Sequence, residues 1–124
     1  MGNIRILIVD DSPFIHKTIT RALGNDEYEI CGIASNGREG VDMYAALKPD
    51  VITMDITMPV MDGLAASKEI MMKNPRAKII MLSALGDEKS LNEAKTIGIS
   101  TFLQKPFKND DLIGAIQKIY GESC

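Results

Sequence analysis

The feature that most constrains this chain is a change of period that repeats five times. Short apolar runs, "IRILIV" (4–9), "EICGIA" (29–34), "VITM" (51–54), "KIIML" (78–82) and "TFL" (101–103), alternate with longer segments whose apolar residues recur at helical spacing. Runs of this length, rich in Ile and Val, suit strands, and the intervening periodicity suits amphipathic helices. Strands that alternate with helices through short loops are expected to lie parallel, with right-handed crossovers. The expectation is therefore an α/β fold, a three-layer sandwich with five parallel strands between helices. "ILIV" and "KIIML" show no polar alternation and read as central strands covered on both faces.

Local chemistry marks the helices. Ser12 can cap the first and Pro13 suits its first turn. Its apolar stripe is Ile15, Ile19, Ala22 and Leu23, and Gly24-Asn25 is expected to end it. Further helices are expected at 37–47, stopped by "KPD", and at 64–73, 88–97 and 109–120. The last carries Leu112, Ile113, Ile116, Ile119 and Tyr120, whereas the fourth has a narrow stripe of Leu91, Ala94 and Ile97.

Composition limits the functions open to such a fold. A chain of 124 residues has room for one domain with one ordinary core, and 1–124 is read as a single domain with no repeat or linker. The net charge is −3 and the 14 basic residues form no run, which argues against a nucleic-acid surface. Cys31 and Cys124 offer neither metal spacing nor a disulfide framework, so a reduced, cytoplasmic setting is expected. The opening "MGNIRILIVDD" reaches two acids too soon for a signal peptide or membrane span. It begins Met-Gly, but Ile6 stands where a myristoylation motif has Ser or Thr.

The functional reading comes from the residues at the end of each apolar run. The first ends in Asp10-Asp11, the third in Asp55, the fourth in Ser83 and the fifth, one residue on, reaches "QK" with Lys105; the second ends in "SNG". Open α/β sheets bind ligands beyond the carboxyl ends of their strands. Carboxylates gathered there repel one another and must take up protons or a cation. Hard oxygen ligands with no His or Cys beside them in sequence suit Mg²⁺, which keeps waters and accepts phosphate as a further ligand. Lys105 can neutralise an added phosphoryl group, Ser83 can donate to it, and Asp55 can be the nucleophile that receives it. Positioning and charge neutralisation are most of what phosphoryl transfer needs. Each residue alone also has an ordinary reading: Asp10-Asp11 as a helix start, Lys105 as a solvated lysine, Ser83 and Asp55 as turn residues. Their joint placement at one sheet edge is what favours the site.

The ordered set "ILIVDDS", "VITMDITMPVMDG", "IIMLSA" and "FLQKPF" resembles the two-component response regulator receiver family over essentially the whole chain. The resemblance is strongest to single-domain, CheY-type chemotaxis regulators. It implies a flavodoxin-like (βα)5 fold of strand order 2-1-3-4-5 and a phosphorylation-activated signalling switch with no effector domain. It implies that Asp55 accepts the phosphoryl group. Asp11 and Asp55 would bind Mg²⁺ with the backbone carbonyl of Thr57, and Asp10 would act through a water. Ser83 and Lys105 would contact the phosphoryl oxygens, next to a cis Lys105–Pro106 bond. Ser83 and Phe102 would form the switch, altering the surface of the fourth helix, fifth strand and fifth helix. A histidine kinase would be the phosphodonor and a flagellar switch component the target, with no nucleic acid and no membrane insertion, and the unphosphorylated chain a monomer.

Other positions have more ordinary expectations. Met58-Pro59 and Asp62-Gly63 shape the loop beside Asp55, with Gly63 available for a conformation closed to other residues. Thr57 and Leu85 stand two residues after Asp55 and Ser83, and apolar Leu85 is expected to slow self-dephosphorylation. His16, off the Ile15/Ile19 stripe, reads as a solvated surface histidine. Alternatives within the family are a phosphorelay intermediate or a receiver of a longer regulator. Outside it, a magnesium-dependent phosphatase of the haloacid dehalogenase type would need Asp-x-Asp, but Thr57 follows Asp55 by two and Ser12 follows Asp10 by two. A flavin carrier would need a phosphate loop where "DDSPF" repels phosphate. The resemblance to receivers instead implies a chain that acts on itself and does not turn over a substrate as a conventional enzyme does.

Overall fold

The computed structural model describes residues 3–121, so Gly2 and Cys124 lie outside the described residues. Ten elements alternate: β1 (Ile4–Val9), α1 (Pro13–Ala22), β2 (Tyr28–Ala34), α2 (Gly37–Leu47), β3 (Val51–Asp55), α3 (Gly63–Lys73), β4 (Ile79–Ser83), α4 (Glu88–Thr96), β5 (Thr101–Gln104) and α5 (Asn109–Gly121). The five strands form one parallel sheet of order β2-β1-β3-β4-β5, as expected.

The alternation of strand side chains builds the two outer layers. Leu7, Val9, Ile52, Met54 and Met81 face one way and pack with Val41 of α2, Ala66 and Ile70 of α3 and Ala94 of α4. Ile6, Ile8, Val51, Ile80 and Leu82 face the other way and pack with Ile15 and Ile19 of α1 and Leu112, Ile116 and Ile119 of α5. Ile6–Val9 of β1 and all five residues of β4 are buried, as expected of "ILIV" and "KIIML"; β3 is buried throughout as well, Thr53 and Asp55 included. Each fully buried Ile or Leu contributes about 1.5–3 kcal/mol.

Most boundaries agree with the sequence reading to within a residue or two. Ser12 caps α1 by accepting from the Ile15 N–H, with Pro13 in its first turn. The other end of α1 differs. Leu23, buried, is the capping residue, its N–H still bound to Ile19 O, and Gly24 follows without a left-handed conformation. Tyr120 is 40% exposed and not on the buried stripe of α5. Nothing in the sequence signals that β1 and β2 slip register between Ile6 and Leu7. The slip leaves Cys31 as an extra residue on β2, where its thiol donates to Ile6 O. Among the described residues, no helix is long and apolar enough to cross a membrane.

Candidate functional site

The parallel register brings the ends of the inner strands to one level. Val9 pairs with Met54, so Asp10 lies beside Asp55 just past the end of their shared ladder. Asp55 in turn pairs with Leu82, and Ser83 with Gln104, the residue before Lys105. The strand order makes β1 and β3 neighbours, and acids 45 residues apart in sequence therefore meet.

Asp10 is completely buried, and each of its polar atoms is engaged. Its N–H donates to Ala34 O, its Oδ1 accepts from the Ser12 N–H at 2.9 Å, and its Oδ2 accepts from Lys105 Nζ at 2.8 Å. The same Nζ donates to Asp55 Oδ1 at 3.0 Å, so one ammonium bridges two carboxylates. Burial raises Asp55 to about 6; repulsion from Asp10 and Asp11 adds to it, and the hydrogen bond from Lys105 opposes it. Burial also works against the charge on Lys105, but the two carboxylates outweigh it and leave its pKa raised. Asp11 is exposed at the mouth of the site.

Carboxylate oxygens of Asp10, Asp11 and Asp55 all come within 4.8 Å of one another. Three hard anionic donors that close, offset by a single lysine, fit a small divalent cation that keeps some of its waters. Burial is the main reason the Asp55 pKa is raised, and the neighbouring carboxylates add to it.

The other expected site residues lie around this centre. Ser83 is buried at the end of β4, but its hydroxyl donates to Leu103 O at 3.4 Å and is not engaged with Asp55. Thr57 is exposed on the loop after β3. Phe102 is half-buried on β5, with Lys95 Nζ of α4 5.8 Å from its ring centroid. The Lys105–Pro106 bond is cis.

Two sequence readings are corrected. His16 is not a solvated surface histidine: it is half-buried, and its Nε2 bonds the backbone carbonyl of Asp10. A carbonyl only accepts, so Nε2 carries the proton. Gly63 is not needed for an unusual conformation, since its φ is not positive. It is needed for closeness: a Cβ there would stand 1.9 Å from Asp55 O, and its N–H donates to Ile56 O at 2.7 Å. The left-handed residue of this loop is Val60, with φ 69°. The Met58-Pro59 and Asp62-Gly63 pairs do shape the loop. Met58 is buried in the core, and Asp62 caps α3 by accepting from the Ala65 N–H at 2.8 Å.

The sequence profile of the family described as Response regulator receiver domain matches residues 6–117. The chain belongs to the response regulator receiver domain family. This receiver is 45% identical over 115 residues to the chemotaxis protein CheY of Thermotoga maritima, an alignment covering 93% of this chain and 96% of that one. It is 46% identical over 109 residues to a protein-glutamate methylesterase/protein-glutamine glutaminase of Shewanella denitrificans, covering 86% of this chain and 28% of that protein. Among solved structures it resembles the CheX-CheY-BeF3-Mg²⁺ complex from Borrelia burgdorferi, with a TM-score of 0.87, 34% identity, and coverage of 94% of this chain and 89% of that one. The receiver is thus a phosphorylation-activated signalling switch with a flavodoxin-like fold.

Proposed function

We propose that this receiver accepts a phosphoryl group on Asp55 from the phosphohistidine of a kinase and reports it, in chemotaxis, to a target protein such as a flagellar switch component. The observation that carries this reading is the Lys105 ammonium held between Asp10 and Asp55 at 2.8 and 3.0 Å. A lysine so placed is ready to leave a carboxylate for a phosphoryl oxygen when Asp55 becomes an acyl phosphate. An Asp55 carboxylate oxygen attacks phosphorus as the phosphorus–nitrogen bond to the donor imidazole breaks. Lys105 holds the developing charge, and Ser83 leaves Leu103 O to donate to the same group.

Asp11 and Asp55, with the Thr57 carbonyl and with Asp10 through water, would hold Mg²⁺, which would supply charge neutralisation at the site. Departure of the Ser83 hydroxyl frees the β5 backbone beside Phe102, and ring movement there is assigned to change the α4-β5-α5 surface. The chain then acts as a cytoplasmic switch that catalyses only its own phosphorylation and dephosphorylation. It is read as one domain, and as a monomer before phosphorylation. Similarity to CheY over 96% of that protein supports the chemotaxis reading. The methylesterase match supports a second one, a receiver serving a longer regulator.

Intact mass after incubation with Mg²⁺ and acetyl phosphate tests the chemistry, with Asp55→Asn and EDTA as controls. One added phosphoryl group, lost in both controls, is expected. An adduct that survives Asp55→Asn would move the acceptor elsewhere. Phosphate release over repeated turnovers from other phosphoesters would replace the switch with a phosphatase.

A further inference from the structure

His16 is the only histidine in the chain, and the proposed chemistry makes no use of it. It nevertheless reaches from the first turns of α1 back to the end of β1, where its Nε2 donates to Asp10 O. That carbonyl sits just past the β1 ladder. Asp10 N–H, by contrast, is still tied to Ala34 O. His16 is therefore the group that fixes the far side of Asp10, the peptide plane leading into Asp11.

A peptide plane is rigid, so holding its oxygen fixes the nitrogen and Cα of the next residue. The Asp10 side chain has its own anchors in Ser12 and Lys105, and does not need this one. Exposed Asp11 follows the plane directly. A ring of bonds results: the Ser12 N–H holds the Asp10 carboxylate, the His16 N–H donates to Ser12 O, and the His16 ring returns to Asp10 O.

We propose that His16 is a positioning residue for the metal site, aiming Asp11 by pinning the Asp10 carbonyl. The inference rests on the assignment of Asp11 as a Mg²⁺ ligand. Partners that orient metal ligands from outside the coordination sphere commonly change affinity by about tenfold or more.

The test is Mg²⁺ titration by calorimetry of wild type, His16→Phe, His16→Gln and Asp11→Asn, with urea stability of each measured in EDTA. Phe keeps a planar ring without the N–H, and the Gln amide presents its nitrogen at a similar reach. Mg²⁺ affinity is expected to fall about five- to tenfold in His16→Phe and to return to within twofold of wild type in His16→Gln. Asp11→Asn is expected to lose Mg²⁺ binding at the site. A purely structural role would lower stability in EDTA and leave the affinity of the folded protein unchanged, and that result would overturn the proposal. Equal losses in His16→Phe and His16→Gln would also overturn it, because the N–H would not be the agent. Undiminished binding in Asp11→Asn would overturn the assignment of the ligand and the inference with it. Should the Phe ring prevent folding, His16→Ala removes the N–H without adding bulk and carries the same expectation.

Discussion

The loops after β3 and β4 leave adjacent strands at the same edge of the sheet, yet they are built very differently. After β3 the chain is stitched down. Gly63 presses on the Asp55 carbonyl, Gly37 N–H donates to Met61 O at 2.9 Å, and Asp62 caps an α3 that buries Gly63, Ala66, Ser67 and Ile70. After β4 the chain is loosely held. Leu85 is 86% exposed, Gly86 takes φ 95° with nothing within 4 Å of its Cβ position, and α4 has no side-chain cap and buries only Ala94. Asp87 closes the turn instead, accepting from the Ala84 N–H at 2.7 Å. On the proposed function, the difference separates an accepting half, which would hold a nucleophile still, from a reporting half, which would move at low energetic cost.

The largest test of that contrast is a methyl group on each side. Gly63→Ala drives a carbon into the Asp55 backbone and is expected to cost at least about 3 kcal/mol in urea unfolding. Gly86→Ala meets no neighbour and is expected to cost only about 1–2 kcal/mol, from its positive φ. Equal costs would break the contrast.

Charge sharpens it next. Asp55 sits at about 6 in the folded protein against an ordinary 3.8, so the folded state holds that proton more tightly than the unfolded state. The stability this proton confers is complete below about pH 3.8 and is lost as pH rises through about 6. Asp55→Asn in EDTA is therefore expected to match wild type near pH 3.5 and to exceed it by up to about 3 kcal/mol above pH 7. Saturating Mg²⁺ is expected to shrink the gap. A gap independent of pH would place its origin outside this carboxylate.

Capping offers a smaller test. Asp62→Ala removes the cap of α3 and is expected to cost about 1 kcal/mol of global stability. Asp87→Ala is expected to cost less globally and to speed amide exchange in α4. The smallest effect is kinetic. Leu85→Glu brings a polar group to the exposed loop after Ser83 and is expected to shorten the acyl-phosphate lifetime about three- to fivefold, under about 1 kcal/mol of barrier. A longer lifetime in Leu85→Glu would reverse the role given to Leu85.

Much of this architecture is legible in the sequence alone. Period changes locate every strand, because burial on both faces leaves β4 apolar until Ser83 and gives the inner strands no polar face turned to solvent. The ends of those strands then announce Asp10, Asp55, Ser83 and Lys105, since parallel strands deliver their carboxyl ends to one edge. What stays hidden depends on contacts between segments. His16 looks solvated on a helical wheel, but the wheel does not show that α1 turns back over the end of its own strand. Gly63 suggests a special φ, whereas its reason is a carbonyl eight residues earlier, visible only once the loop is closed. The bulge at Cys31 has the composition of an ordinary strand and no local signal. Placement of Lys95 over Phe102 likewise depends on how α4 settles on β5.

The position of β3 has one more consequence. It runs between β1 and β4 with every residue buried, so its amides are expected to be among the last to exchange. On the proposed function, the phosphoryl-bearing side chain hangs from a strand buried along its whole length, while its report passes through a helix that buries only Ala94. Switching of that kind would leave the strand that carries Asp55 folded. Wear from signalling and survival of the chain are then set by separate parts of one sheet.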